Sequence, residues 1–102
     1  MSFDMNKLMQ QAQQMQEQMQ RMQEEAANET AQSSVGGGLV KVTANGAGAV
    51  LAIEIAPEAI DPDDPDALGD LVLAGVNEAL RSAQAAVEAK AQALMSRLGL
   101  GG

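Results

Sequence analysis

Apolar residues in the first third of the chain fall at Met5, Leu8, Ala12, Met15, Met19, Met22 and Ala26. Their spacing alternates three and four without a break, the heptad seam of a helix packed lengthwise on another helix. Gln and Glu fill most other positions, and both are good helix formers. The pattern predicts a long helix over about 4–32. The positions flanking the seam are mostly uncharged: Gln11, Gln18 and Glu25 on one side, Met9, Gln16 and Gln23 on the other. Charge pairing there does not specify a partner, and a methionine seam packs adaptably. The helix is therefore expected to pack on the rest of the domain or on a second copy, not to form an isolated zipper.

The period then changes. Residues 27–38 are small and polar and end in Gly36-Gly37-Gly38. They predict a flexible connection with a glycine hinge. Leu39 to Ala44 has strand composition, Asn45-Gly46 is a hairpin signal, and Val50 to Ile55 is the return strand. Val40 and Val42 are expected on a buried face, as are Leu51, Ile53 and Ile55. Pro57 closes the second strand. Asp61-Pro62-Asp63-Asp64-Pro65-Asp66 reads as a rigid acidic loop, with Pro65 suited to a first helical turn and Asp66 and Asp70 complementing a helix N-terminus. A second long helix follows over about 65–98, with an alanine-rich stripe from Leu68 to Leu98. The order is long helix, antiparallel hairpin, long helix, an α+β fold. At 102 residues the chain is expected to be one domain, 1–102, with flexible ends at 1–3 and 99–102.

Composition narrows the function. The chain has no Cys and no His, which removes disulfides, thiol chemistry, the commonest general base and the commonest metal ligand. No Ser or Thr has a base partner at motif spacing, so no enzyme activity is expected. Gly36-Gly37-Gly38 opens a strand, so it is not a phosphate loop. The acids at 61–66 are interrupted by prolines and lack the glycine and final Glu of a calcium loop. No cofactor, metal or small-molecule substrate is expected. No apolar run is long enough to span a membrane, and the N-terminus is not a signal peptide, so a cytoplasmic protein is expected. The one aromatic, Phe3, offers no stacking platform for single-stranded nucleic acid.

Net charge is −8, but residues 57–70 alone hold six acids and no base. The potential at a binding face elsewhere is not fixed by that total. The bases Lys7, Arg21, Lys41, Arg81, Lys90 and Arg97 are scattered. In a dimer they double, and those near helix ends line two edges of a shared surface.

Taken in order, four stretches resemble the YbaB/EbfC nucleoid-associated proteins of bacteria. They are Met5-Asn6-Lys7-Leu8-Met9-Gln10-Gln11-Ala12, Gly36 to Gly46, Ile53-Glu54-Ile55 leading to Pro57, and Leu68-Gly69-Asp70-Leu71-Val72-Leu73-Ala74-Gly75-Val76-Asn77-Glu78-Ala79. The resemblance implies an α-β-α protein with a small antiparallel sheet, forming an intertwined homodimer with projecting helices. It implies binding of double-stranded DNA in the nucleoid with weak sequence preference, DNA compaction and an influence on gene expression. The charged positions it carries over are Lys7, Arg21, Arg81, Lys90 and Arg97. Two other readings remain. A prefoldin-like chaperone subunit requires its two helices to pair antiparallel along matching heptads. A protein-interaction adaptor that retains the fold requires the acidic loop to be its contact surface.

Overall fold

A computed structural model describes residues 4–99; residues 1–3 and 100–102, most of the ends expected to be flexible, lie outside the described residues. Helix α1 spans Met5–Asn28 and is followed by strands β1 (Thr30–Val35), β2 (Val40–Asn45) and β3 (Val50–Ile55). A short 3-10 turn, Pro57–Ala59, leads to helix α2, Pro65–Arg97. The three strands form one antiparallel sheet in the order β1-β2-β3. Two helices with a small antiparallel sheet between them match the α+β architecture expected.

The first departure from expectation is β1. The first helix stops at Asn28, not near 32, and residues 30–35 are a strand and not a flexible connection. Gly36-Gly37-Gly38 is likewise no hinge. It forms the tight β1–β2 turn, at φ of 64°, 71° and 94°, and the Gly38 N–H donates to the Val35 carbonyl at 3.2 Å. Three consecutive left-handed residues are accessible only to glycine at low cost. The strand escapes sequence reading because only alternate residues, Ala31, Ser33 and Val35, turn toward the core, and two of the three are small or polar.

Each helix begins on an acid. The Asp4 carboxylate accepts from the Lys7 N–H at 3.3 Å, and the Asp64 carboxylate accepts from the Ala67 N–H at 3.3 Å. Pro65 occupies the first turn of α2, as its fixed φ favours.

The core lies between α2 and the inner face of β1 and β2. Val40, Val42 and Ala44 are fully buried against Ala79, with Leu68, Leu71, Val72, Val76 and Leu80 around them. Gly75 sits where a Cβ would come within 2.9 Å of Val42 Cγ2, so the helix backbone rests directly on the sheet. A polar pin crosses the same contact: the buried Ser33 hydroxyl donates to the Gly75 carbonyl at 2.6 Å. Ser33→Ala is expected to cost about 1–2 kcal/mol, because a buried hydrogen bond is lost while little volume changes. Urea denaturation of the two proteins checks this, and equal midpoints would show that the pin contributes nothing.

The second departure is β3. Opposed residues of an antiparallel pair share a face, and Val40 faces Ile55 while Val42 faces Ile53. The inner face therefore continues from the core onto β3. Yet Leu51, Ile53 and Ile55 are 54%, 44% and 40% exposed, where burial was expected. The reason is the position of α2, which lies across β1 and β2 and leaves the edge strand uncovered.

The third concerns the helices beyond the sheet. No residue of α1 is buried, and its seam residues Met5, Leu8, Met15, Met19 and Met22 are all exposed. Apart from its C-terminal end, this helix therefore does not pack on its own domain. The radius of gyration is 20.4 Å, against about 13 Å for a compact domain of this length. The 24 residues of α1 and the far half of α2 project as arms.

Candidate nucleic-acid interface

The arms meet at one joint. There the end of α1 abuts the β2–β3 turn and the middle of α2. The turn is stapled by Asn45, whose side-chain oxygen accepts from the N–H groups of Ala47 and Ala49 at 3.1 and 3.0 Å. Gly48 supplies the positive φ, 91°, and Gly46 has a different task. Its N–H donates to the carbonyls of Ala26 and Glu29 at 3.0 and 2.9 Å. A Cβ there would overlap Val87 and approach the Ala26 carbonyl oxygen to 2.9 Å. Asn45-Gly46 thus marks a turn, as expected, but its glycine lets two elements close on the strand end.

From this joint the arms enclose an open cleft of about 560 Å³. Met22 and Ala26 of α1 face Val87, Ala91 and Leu94 of α2 across it. Its charged rim is Glu25 and Glu29 on one side, Lys90 and Arg97 on the other. The Lys90 ammonium donates to the Glu29 carboxylate at 2.8 Å, the one ion pair among the described residues. That hydrogen bond and the Glu29 charge hold the ammonium above the usual lysine range, and Glu25 adds to the effect. The cleft wall is therefore self-neutralised.

The five basic residues singled out from the sequence are all exposed, but they do not form one cluster. Lys90 and Arg97 lie seven residues apart on one side of α2, both on the cleft. Arg81 sits between the buried Ala79 and Ala83 and faces away from the sheet. Nine residues, about two and a half turns, put it opposite Lys90. Lys7 and Arg21 occupy equivalent heptad positions on α1, off the methionine seam, and form one stripe along that arm. Glu29, which engages Lys90 from 61 residues away, is not marked by any sequence pattern.

The helices of the described residues include none long and apolar enough to cross a membrane, and no group of His, Asp or Glu among these residues is placed to hold a metal ion. The two helices do not pair antiparallel along their length, as a prefoldin-like subunit would require.

Comparison with known proteins places this architecture. The chain is 48% identical over 84 residues to a nucleoid-associated protein of Pelotomaculum thermopropionicum, covering 82% of this chain and 80% of the other. It is 44% identical over 99 residues to a nucleoid-associated protein of Streptomyces avermitilis, covering 97% and 88%. Its fold resembles the crystal structure of an uncharacterized protein from Helicobacter pylori, at a TM-score of 0.66 and 22% identity, covering 95% and 98%. The YbaB/EbfC DNA-binding family model matches residues 1–98. With nearly its whole length matched, the chain belongs to the YbaB/EbfC DNA-binding family.

Proposed function

We propose that this chain binds double-stranded DNA as a homodimer in the nucleoid, with low sequence specificity, contributing to DNA compaction and gene regulation. The observation that carries the reading is family membership over residues 1–98, together with relatives named as nucleoid-associated proteins. The geometry supports it in two ways. The apolar face of β3 and the methionine seam of α1 stand uncovered in the single chain, and a second copy supplies matching apolar surface. The arms carry Lys7, Arg21, Lys90 and Arg97 at wide intervals, and Arg81 stands on the outer face of α2 above the sheet. Spaced cations suit phosphates along a duplex, and no helix carries a cluster for reading base edges.

The mechanism is steric and electrostatic. A rigid dimer lies against the duplex, and each Lys or Arg that reaches a phosphate releases counterions. Affinity is modest because the chain carries −8 and falls steeply with salt. The protein acts by binding and not by catalysis.

Fluorescence anisotropy with a short labelled duplex, titrated at several salt concentrations, tests this. The logarithm of affinity should fall linearly with the logarithm of salt. Replacing Lys7, Arg21 and Arg97 by Ala should flatten that slope by about 0.9 for each phosphate no longer neutralised. An intact dimer with no affinity at low salt, or with affinity insensitive to salt, would sink the DNA reading.

A further inference from the structure

Lys90 differs from the other four proposed DNA-binding cations in already holding an anion. We infer that Glu29 is a built-in phosphate substitute, an autoinhibitory contact that occupies Lys90 until DNA displaces it; this rests on the DNA-binding reading above.

Three observations support the assignment. The first is the 2.8 Å contact itself, between groups 61 residues apart in the chain and on different elements. The second is that the backbone carrying the carboxylate is held in place. Glu29 caps α1, its N–H donates to the carbonyls of Glu25 and Ala26 at 3.2 Å, and its own carbonyl accepts from the Gly46 N–H at 2.9 Å. Its side chain is 28% exposed, against 66% for Lys90. Glu29 is the partner with the anchored backbone and the more covered side chain, and the lysine is the one with the freer path to a phosphate. The third is that Glu25 lies on the same rim and also acts on Lys90. A phosphate arriving at the cleft meets two carboxylates as well as Lys90 and Arg97.

An exposed ion pair is weak, so a polyanion displaces it while a lone anion at low concentration does not. The exchange conserves ion pairs: the Lys90–Glu29 bond breaks, the Lys90–phosphate bond forms, and Glu29 is released to water. Lys90 therefore contributes less to DNA affinity than its charge suggests, and Glu29 sets how much less.

The test is a double-mutant cycle on the full chain, read by duplex anisotropy across a salt series. The variants are Glu29→Gln, Lys90→Ala and both together. Glu58→Gln, on the short turn before α2, is the control for a change of net charge alone. Glu29→Gln should tighten binding roughly threefold to tenfold at low salt and steepen the salt slope by about 0.9 per protomer. Glu58→Gln should change binding by less than twofold. Lys90→Ala should weaken the Glu29→Gln protein clearly and the parent only slightly. Equal losses from Lys90→Ala in both backgrounds, or a Glu29→Gln gain no larger than the Glu58→Gln gain, would overturn the inference while leaving DNA binding intact. Absence of binding by the parent and by Glu29→Gln alike would overturn both. Circular dichroism of each variant confirms that the fold is retained, as expected for an exposed pair.

Discussion

Ile53→Asp combined with Ile55→Asp is expected to yield a monomer of 10.5 kDa, and the parent is expected to sediment at twice that mass. Both side chains stand on the inner face of the edge strand, opposite the fully buried Val42 and Val40. The single chain leaves them 44% and 40% exposed because α2 does not reach β3. Covering an isoleucine fully is worth about 1.5–3 kcal/mol, so covering the 44% and 40% still exposed is worth roughly 1 kcal/mol for each. In a symmetric dimer each substitution counts twice, and each aspartate adds the cost of a buried unpaired charge. Together these terms are expected to dissociate the dimer. The fold of each protomer should survive, because neither residue belongs to the core under α2. Sedimentation and circular dichroism together separate these effects. DNA affinity should fall roughly tenfold or more, since two sets of cations no longer act on one duplex. A parent that sediments as a monomer at micromolar concentration would remove the homodimer from the proposed function. A double variant that stays dimeric would move the interface away from β3, to the methionine seam of α1.

The second large effect is expected at Gly46. Gly46→Val should lower stability by about 2–4 kcal/mol and the melting temperature by about 10–20 °C. Its Cβ would overlap Val87 and press on the Ala26 carbonyl. Relief requires moving the β2–β3 turn away from α2 and from the end of α1, which also breaks the two hydrogen bonds from the Gly46 N–H. Gly69→Ala is the contrasting case. A Cβ there meets nothing within 4 Å, and alanine is the better helix former by about 1 kcal/mol, so this variant should melt slightly higher than the parent. Calorimetry of the two variants beside the parent decides the matter. A Gly46→Val protein that melts with the parent would mean that the joint yields at no cost, and that the angle between the arms is not fixed there.

Local rules carried a large part of the structure. The three-four spacing from Met5 to Ala26 gave a helix, because residues three and four apart share one helical face whatever lies around them. Asp64, Pro65 and Asp66 marked the start of α2, because capping involves atoms only a turn apart. Val40 and Val42 alternated into the core as expected. Four motif stretches in order were enough to point to the family that the comparison establishes.

What failed to show in the sequence depended on partners far along the chain. Strand β1 has few apolar side chains of its own, and it exists because β2 supplies its hydrogen bonds and Gly75 lies over Ser33. The period of Leu51, Ile53 and Ile55 identified a face, but only the placement of α2 decided that nothing in the chain covers it. The scattered cations could be counted, but whether they converge was settled by helix rotation, which sets Arg81 apart from Lys90 and Arg97. The Glu29–Lys90 contact is the clearest case. Charge pairing reads from sequence only within a helix turn or across a known register, and these two residues meet only because the joint at Gly46 brings the end of α1 to the middle of α2.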